Sequence, residues 1–210
     1  MKFYQELTLL PDAEIDLAFL WTKIYQQIHL ALVENKQENN QSLIAIGFPE
    51  YGSPGFFLGR KLRLFSPEEK LLETLDIIRW LTRLSDYVHI KSIQPVPEYT
   101  TSVCYLREHI KGKVRVEKEM YKKAVLWAKK TGATIESCLS ELEKTRPKHS
   151  QLPFIWMESQ RTKQRNGETQ KFPLFIKQIF ISSPQQQHFN CYGLSLSQSK
   201  QELLSTVPCF

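Results

Sequence analysis

The stretch KFYQELTLLPDAEIDLAFLWTKIYQQIHLALVENK, residues 2–36, decides how the first half of this chain folds. Residues 2–9 alternate in strand fashion, with the two-residue period of a half-buried strand. PDAE then opens a helix, and Leu17, Trp21, Ile24, Ile28 and Leu32 recur at helical spacing along its buried face. The polar run ENKQENNQS, residues 34–42, ends that helix.

Working outward, LIAIGF and RKLRLF read as two strands joined by a loop rich in Gly and Pro. SPEE follows, with Ser66 as N-cap, Pro67 at the first helical position and Glu69 completing a capping box. Leu71, Leu72, Leu75, Ile78 and Leu81 form the apolar stripe of this second helix, and YVHIKSIQPV returns as a strand. The order is β-α-β-β-α-β, so the expected class is α+β with a ferredoxin-like N-terminal domain over residues 1–97. That fold hosts many functions, RNA binding among them, and constrains activity weakly.

After Pro95 and Pro97 the character changes, and residues 98–210 read as a second, basic α+β domain. SVCYLREHI is strand-like. KVRVEKEMYKKAVLWAKK is a basic helix ending at Gly132, and TIESCLSELEK a shorter helix. LPFIWMESQ, KFPLFIKQIFIS and HFNCYGLS read as strands, the first two separated by the basic loop RTKQRNGETQ.

The 210 residues suffice for one large or two small domains, and 41% hydrophobic with 24% charged residues is ordinary for a soluble protein. No apolar run approaches the roughly 20 residues of a membrane span. MKFYQELTLL lacks an apolar core and a small-residue cleavage site, so no secretory signal is expected. Cys104, Cys138, Cys191 and Cys209 form no CxxC pair, which argues for a reduced cytoplasmic setting and against a disulfide framework or a zinc site. The net charge of +6 is unevenly spread. Residues 1–100 carry 10 Lys/Arg against 13 Asp/Glu, whereas residues 101–210 carry 18 against 9. A polyanion partner for the second half follows, with nucleic acid the first candidate.

At about 100° per residue, Lys111, Arg115, Lys118, Lys122 and Lys129 fall in one stripe, with Val116, Met120, Ala124 and Trp127 roughly opposite. Gly112 leaves the membership of Lys111 open. Glu117 and Glu119 keep an ordinary amphipathic helix open, but cations gathered on one stripe favour a polyanion-binding one. His29 at the edge of the first helix's apolar face, Ser159 at the end of a strand and Tyr192 beside Gly193, taken singly, read more readily as packing residues than as chemistry. Walker, G-x-S-x-G and H-E-x-x-H motifs are absent, as is a carboxylate cluster for two metals.

Taken in order, however, several segments resemble one family, the CRISPR repeat-processing endoribonucleases of type I-F. The segments are QQIHLALV with His29, IGFP at 46–49, LGRKLRL at 58–64, LPFIWMESQ at 152–160, Phe172 in QKFPLFI, CYGLS at 191–195 and the terminal VPCF. The resemblance implies a nuclease that cuts CRISPR transcripts beside a repeat stem-loop with neither metal nor other cofactor. It then keeps its crRNA product, as one subunit of a larger effector. Partners are therefore the repeat hairpin, other type I-F effector subunits in antiviral defence, or transposition proteins where the system is transposon-encoded; no membrane is involved. The family's catalytic histidine, serine and tyrosine fall on His29, Ser159 and Tyr192. In that reading the 2′-OH attacks the adjacent phosphate, His29 accepts its proton, Ser159 holds the ribose or nucleophile, and Tyr192 orients the imidazole or the phosphate.

For RNA recognition the resemblance points to a base-reading pair on the 103–111 strand, held here by Arg107 and His109, or in the other register by Tyr105 and Arg107. Along the basic helix Arg115, Lys118, Lys122 and Lys123 take the groove-lining places. Because they are mostly lysines, they offer point charges rather than bidentate forks. Phe172 matches an aromatic that stacks on a base. Gln160 and Arg161 flank the site and could hold phosphates, as could Lys163 and Arg165. Two rival readings stay open at this point: a non-catalytic subunit that caps a hairpin, and an unrelated basic nucleic-acid-binding protein.

Overall fold

The computed structural model describes residues 1–145, 151–159, 167, 169–182, 188–196 and 204–210. Strand β1 (Phe3–Leu9) leads into helix α1 (Leu17–Glu34). PDAE is a turn rather than the start of the helix. The Asp12 carboxylate accepts from the Glu14 and Ile15 N–H groups, and Asp16 caps the helix by accepting from Phe19 N–H at 2.7 Å. Next come β2 (Gln41–Ser42), β3 (Ala45–Gly47), β4 (Lys61–Ser66), α2 (Glu69–Leu75), α3 (Ile77–Trp80), β5 (Val88–Ile90) and β6 (Gln94–Pro95). The main sheet runs β3-β4-β1-β5 with antiparallel neighbours, and β6 pairs with the start of β1. The first strand thus lies between the third and fourth of the four predicted strands, the order of a ferredoxin-like sheet.

The second predicted helix departs from expectation at both ends. Ser66 pairs with Phe3 as the last residue of β4, and its hydroxyl bonds the peptide of Glu68. It therefore closes a turn, and the helix begins at Glu69 with Glu68 as N-cap. After Leu75 the chain breaks at Asp76, which adopts φ 45°, and restarts as α3. That break slips the apolar stripe by one position. Ile77 is buried at 1% exposure, whereas Ile78 is 61% exposed.

The second sheet is built from β7 (Thr101–Glu108), β8 (Phe154–Ser159), β9 (Gln170–Ile181) and β11 (Val207–Cys209), in the order β11-β7-β9-β8. A short β10 (Phe189–Asn190) pairs with β2. Side chains alternate across a sheet, so the register puts Val103, Tyr105 and Arg107 on one face with Ile176, Leu174, Phe172, Ile155, Met157 and Ser159. The apolar members of this face join Leu7, Leu64, Ile24 and Ile28 in one core. Trp21 donates its indole N–H to the Gly59 carbonyl at 2.9 Å from within it. Among the described residues the buried charged group is Glu6, 3% exposed, held by Arg63 at 2.8 Å and Lys91 at 2.7 Å.

Compactness divides the chain differently from the composition break at 97/98. One unit is Met1–Glu108 with Pro153–Phe210, and the other is His109–Leu152. The strands after residue 98 share the apolar core of the first sheet, which is why they belong with it. The smaller unit consists of α4 (Lys113–Thr131), ended by Gly132 at φ 73°, and α5 (Ile135–Lys144), capped by Thr134. Ala124 and Cys138 are buried, while Trp127 of the predicted apolar side is exposed. Lys111 lies before the helix. Its ammonium and the Arg115 guanidinium both bond Glu119, at 2.6 and 3.1 Å, while Lys118, Lys122 and Lys123 are exposed. Among the described residues no helix is long and apolar enough to cross a membrane.

The break at Asp76 makes a sharp prediction. Ile77→Ala should lower unfolding free energy by about 2–4 kcal/mol. Ile78→Ala, one residue on, should stay within about 0.5 kcal/mol of the parent. Chemical denaturation of the two variants checks the slipped register.

Candidate active site

The site grows from one turn of α1 and one turn after β10. Tyr25 and Gln26 lie four and three residues before His29 on the helix, so each neighbours it on the helix surface. The turn Cys191–Ser195 is built by Asn190, whose side-chain oxygen accepts from the N–H of Tyr192 at 2.8 Å and of Leu194 at 3.3 Å. Gly193 completes it at φ 68°. A Cβ at Gly193 would stand 2.5 Å from Ile46 Cγ1, so glycine is required by conformation and by space together. The turn is tethered on several sides: Ile46 N–H donates to Gly193 O at 2.8 Å, and Ser195 N–H to Tyr105 O at 2.9 Å. The Tyr25 hydroxyl donates to Tyr192 O at 2.8 Å.

This scaffold brings His29 and Tyr192 together. His29 Nδ1–H donates to the Cys191 carbonyl at 2.8 Å. A carbonyl can only accept, so the hydrogen of the neutral ring resides on Nδ1, and Nε2 carries the lone pair. The Tyr192 ring lies flat against the imidazole, with centroids 4.2 Å apart and planes 6° from parallel. On the Tyr192 ring, at 5.2 Å, lies the Arg107 guanidinium, which also covers Phe172 at 5.3 Å. Histidine, tyrosine, arginine and phenylalanine thus form a continuous stack from α1 to β9, each contact worth about 0.5–2 kcal/mol.

Electrostatics favour the neutral imidazole. Burial pushes the His29 pKa down, the Cys191 hydrogen bond opposes this, and the Arg107 charge adds to the depression; the net direction is below the ordinary value. A half-buried histidine held neutral with Nε2 bare is equipped to take a proton near pH 7.

The remaining expected residues fall as follows. Ser159 is the last residue of β8, on the same sheet face as Phe172 and Arg107. The adjacent Glu158 N–H donates to the Gln26 side chain of α1 at 2.9 Å. Tyr105 is buried and gives its hydroxyl to Phe48 O at 2.9 Å, so of the two registers Arg107 is the half-buried member that faces the stack. His109 lies beyond the end of β7, exposed and in the smaller unit, so the strand geometry expected to pair it with Arg107 does not extend to it. Arg115, Lys118, Lys122 and Lys123 are exposed on α4. Gln160 and Arg161 lie outside the described residues, as do Lys163 and Arg165. Sequence reasoning missed the Cys191 carbonyl, Asn190, Tyr25 and Gln26. The last two precede His29 by about one helical turn, the one signal that could have singled them out.

A family model described as CRISPR-associated protein (Cas_Csy4) matches residues 4–210. The chain belongs to the Csy4 family. Among curated proteins, this Csy4-family chain is 26% identical over 211 residues to "CRISPR-associated endonuclease Cas6/Csy4" of Escherichia coli (strain UTI89 / UPEC), covering 100% of both chains. It is 25% identical over 196 residues to the protein of the same description in Pseudomonas aeruginosa (strain UCBPP-PA14), covering 93% of this chain and 96% of that one. A solved structure described as "CRISPR associated protein Cas6" aligns over 100% of this chain and 99% of its own, at 12% identity and a TM-score of 0.31.

Two measurements probe this geometry. Gly193→Ala should cost about 1–3 kcal/mol of stability in denaturant unfolding, because it forces a β-carbon into a left-handed residue against Ile46. In the RNA-free protein, NMR titration should place the His29 pKa below about 6.5. Arg107→Gln should move it upward, since a neighbouring cation is removed.

Proposed function

We propose that this chain is a CRISPR-RNA-processing endoribonuclease that binds a repeat stem-loop and cuts at the base of the stem. One observation carries the reading: His29 donates Nδ1–H to the Cys191 carbonyl and leaves Nε2 unprotonated beside Tyr192 and Arg107. Membership of a family whose curated relatives are described as endonucleases supports it.

The chemistry needs no group beyond the RNA and this chain. Nε2 of His29 takes the proton of the 2′-OH as its oxygen attacks the adjacent phosphorus. The 2′-O–P bond forms, the P–O5′ bond breaks, and the departing 5′-oxygen takes a proton from solvent water while His29 later releases its own. The products are a 2′,3′-cyclic phosphate and a 5′-OH. Tyr192, stacked flat on the imidazole, fixes its plane, so the ring spends no freedom on reaching the reactive pose. Ser159 holds the ribose or the attacking hydroxyl. The Arg107 guanidinium, braced between two aromatic rings, keeps its edge for hydrogen bonds to a base or phosphate. Phe172 offers a base the end of the stack, and the exposed lysines of α4 supply phosphate contacts. After cutting, the enzyme stays on the hairpin of the mature guide RNA as one subunit of an effector.

The test is single-turnover cleavage of a cognate repeat hairpin in EDTA. His29→Ala should bind within about threefold of the parent and cut roughly 10²–10⁴-fold more slowly. A 2′-deoxy substitution at the nucleotide preceding the cut should block cleavage, and the 5′ fragment should end in a cyclic phosphate. Unchanged cutting by His29→Ala, or cutting of the deoxy substrate, would sink the mechanism. If the parent binds tightly but never cuts, the chain is a hairpin-capping subunit instead.

A further inference from the structure

Gln26 is 8% exposed, and among the described residues its Nε2 is the buried side-chain nitrogen that finds no hydrogen-bond partner. Its other amide atom is engaged: Oε1 accepts the Glu158 N–H at 2.9 Å. That bond fixes which end of the amide is oxygen, so rotating the amide cannot relieve the orphaned nitrogen. β8 is the end strand of its sheet, and N–H groups on the outer side of an end strand have no neighbouring strand to accept them. Gln26 supplies the acceptor at the residue before Ser159, from a position one turn ahead of His29.

An apolar side chain of similar size would fill the same space without burying an unpaired donor. The amide is kept where the strand carrying Ser159 meets the helix carrying His29. We propose that Gln26 is a positioning residue: it clamps the end of β8 to α1 and so sets Ser159 in register with His29 for the 2′-OH. This rests on the reading of His29 and Ser159 as the reacting pair. Gln26 acts through Ser159 and needs no contact with RNA.

Because Gln26 works through Ser159, its effect must disappear when Ser159 is gone. The experiment is a double-mutant cycle on single-turnover hairpin cleavage, with binding measured in parallel. Gln26→Met should slow cutting about tenfold or more and change hairpin Kd by less than about threefold. In the Ser159→Ala background the same substitution should change the rate by less than about twofold. Gln26→Glu, which keeps an acceptor for the Glu158 N–H, should recover most of the rate lost in Gln26→Met. Gln26→Asn, one methylene shorter, withdraws the contact with less repacking and carries the expectations of Gln26→Met, so a folding failure of that variant does not shelter the idea. Cutting by Gln26→Met and Gln26→Asn within twofold of the parent overturns the proposal. So does an equal loss in the Ser159→Ala background, which would mean that Gln26 merely supports the fold. If Ser159→Ala alone cuts at the parent rate, the serine's role itself fails, an outcome separate from the other two.

Discussion

The hydrogen bond from His29 Nδ1 to the Cys191 carbonyl joins positions 162 residues apart, and the site is organised around it. It selects the tautomer, sets the orientation of the ring and attaches the Cys191–Ser195 turn to α1. The acceptor is a main-chain oxygen, so its position depends on the whole turn. Asn190 bonds two of its N–H groups, Gly193 permits its left-handed residue, and Ile46 and Tyr105 hold it to β3 and β7. A side-chain acceptor could swing away, but this carbonyl moves only if the turn moves.

The stack built on that bond bears on the charge of its histidine. A neutral, partly dry imidazole is disfavoured as a cation by burial, and a nearby guanidinium adds to that. His29 and Arg107 both lie against the Tyr192 ring, the imidazole stacked at 4.2 Å and the guanidinium at 5.2 Å. The guanidinium remains near enough to lower the proton affinity of the imidazole. Phe172 closes the far side. The guanidinium's closeness to the imidazole therefore contributes to the lowered proton affinity of His29.

How much was legible in the sequence can be judged residue by residue. β1 and the buried face of α1 were plain because alternation and helical spacing persist over many residues. The SPEE motif misled because Ser66 is still paired with Phe3 in the sheet, a long-range contact that overrides a local capping pattern. Ile78 misled because Leu72, Leu75 and Ile78 keep helical spacing through a break that Asp76 introduces without Gly or Pro. At the site, His29, Ser159 and Tyr192 stood out only as an ordered set of segments matching a known pattern. The Cys191 carbonyl was invisible because a backbone atom has no residue signature. Gln26 was invisible because a glutamine on a helix reads as solvent-facing until a second element covers it.

The division into two units has a consequence for how such a chain can change. Glu108, the last strand residue before the helical unit, and Phe154, the first after it, both pair with Phe175 from opposite sides of β9. The points where the helical unit leaves and re-enters the sheet are therefore about two strand spacings apart, roughly 10 Å. A loop bridging that gap needs few residues, and lengthening an insertion there adds little closure entropy. The helix pair is a cassette on a fixed doorway. Its length, charge and sequence can be exchanged while His29, Arg107, Phe172 and Tyr192 keep their places in the other unit.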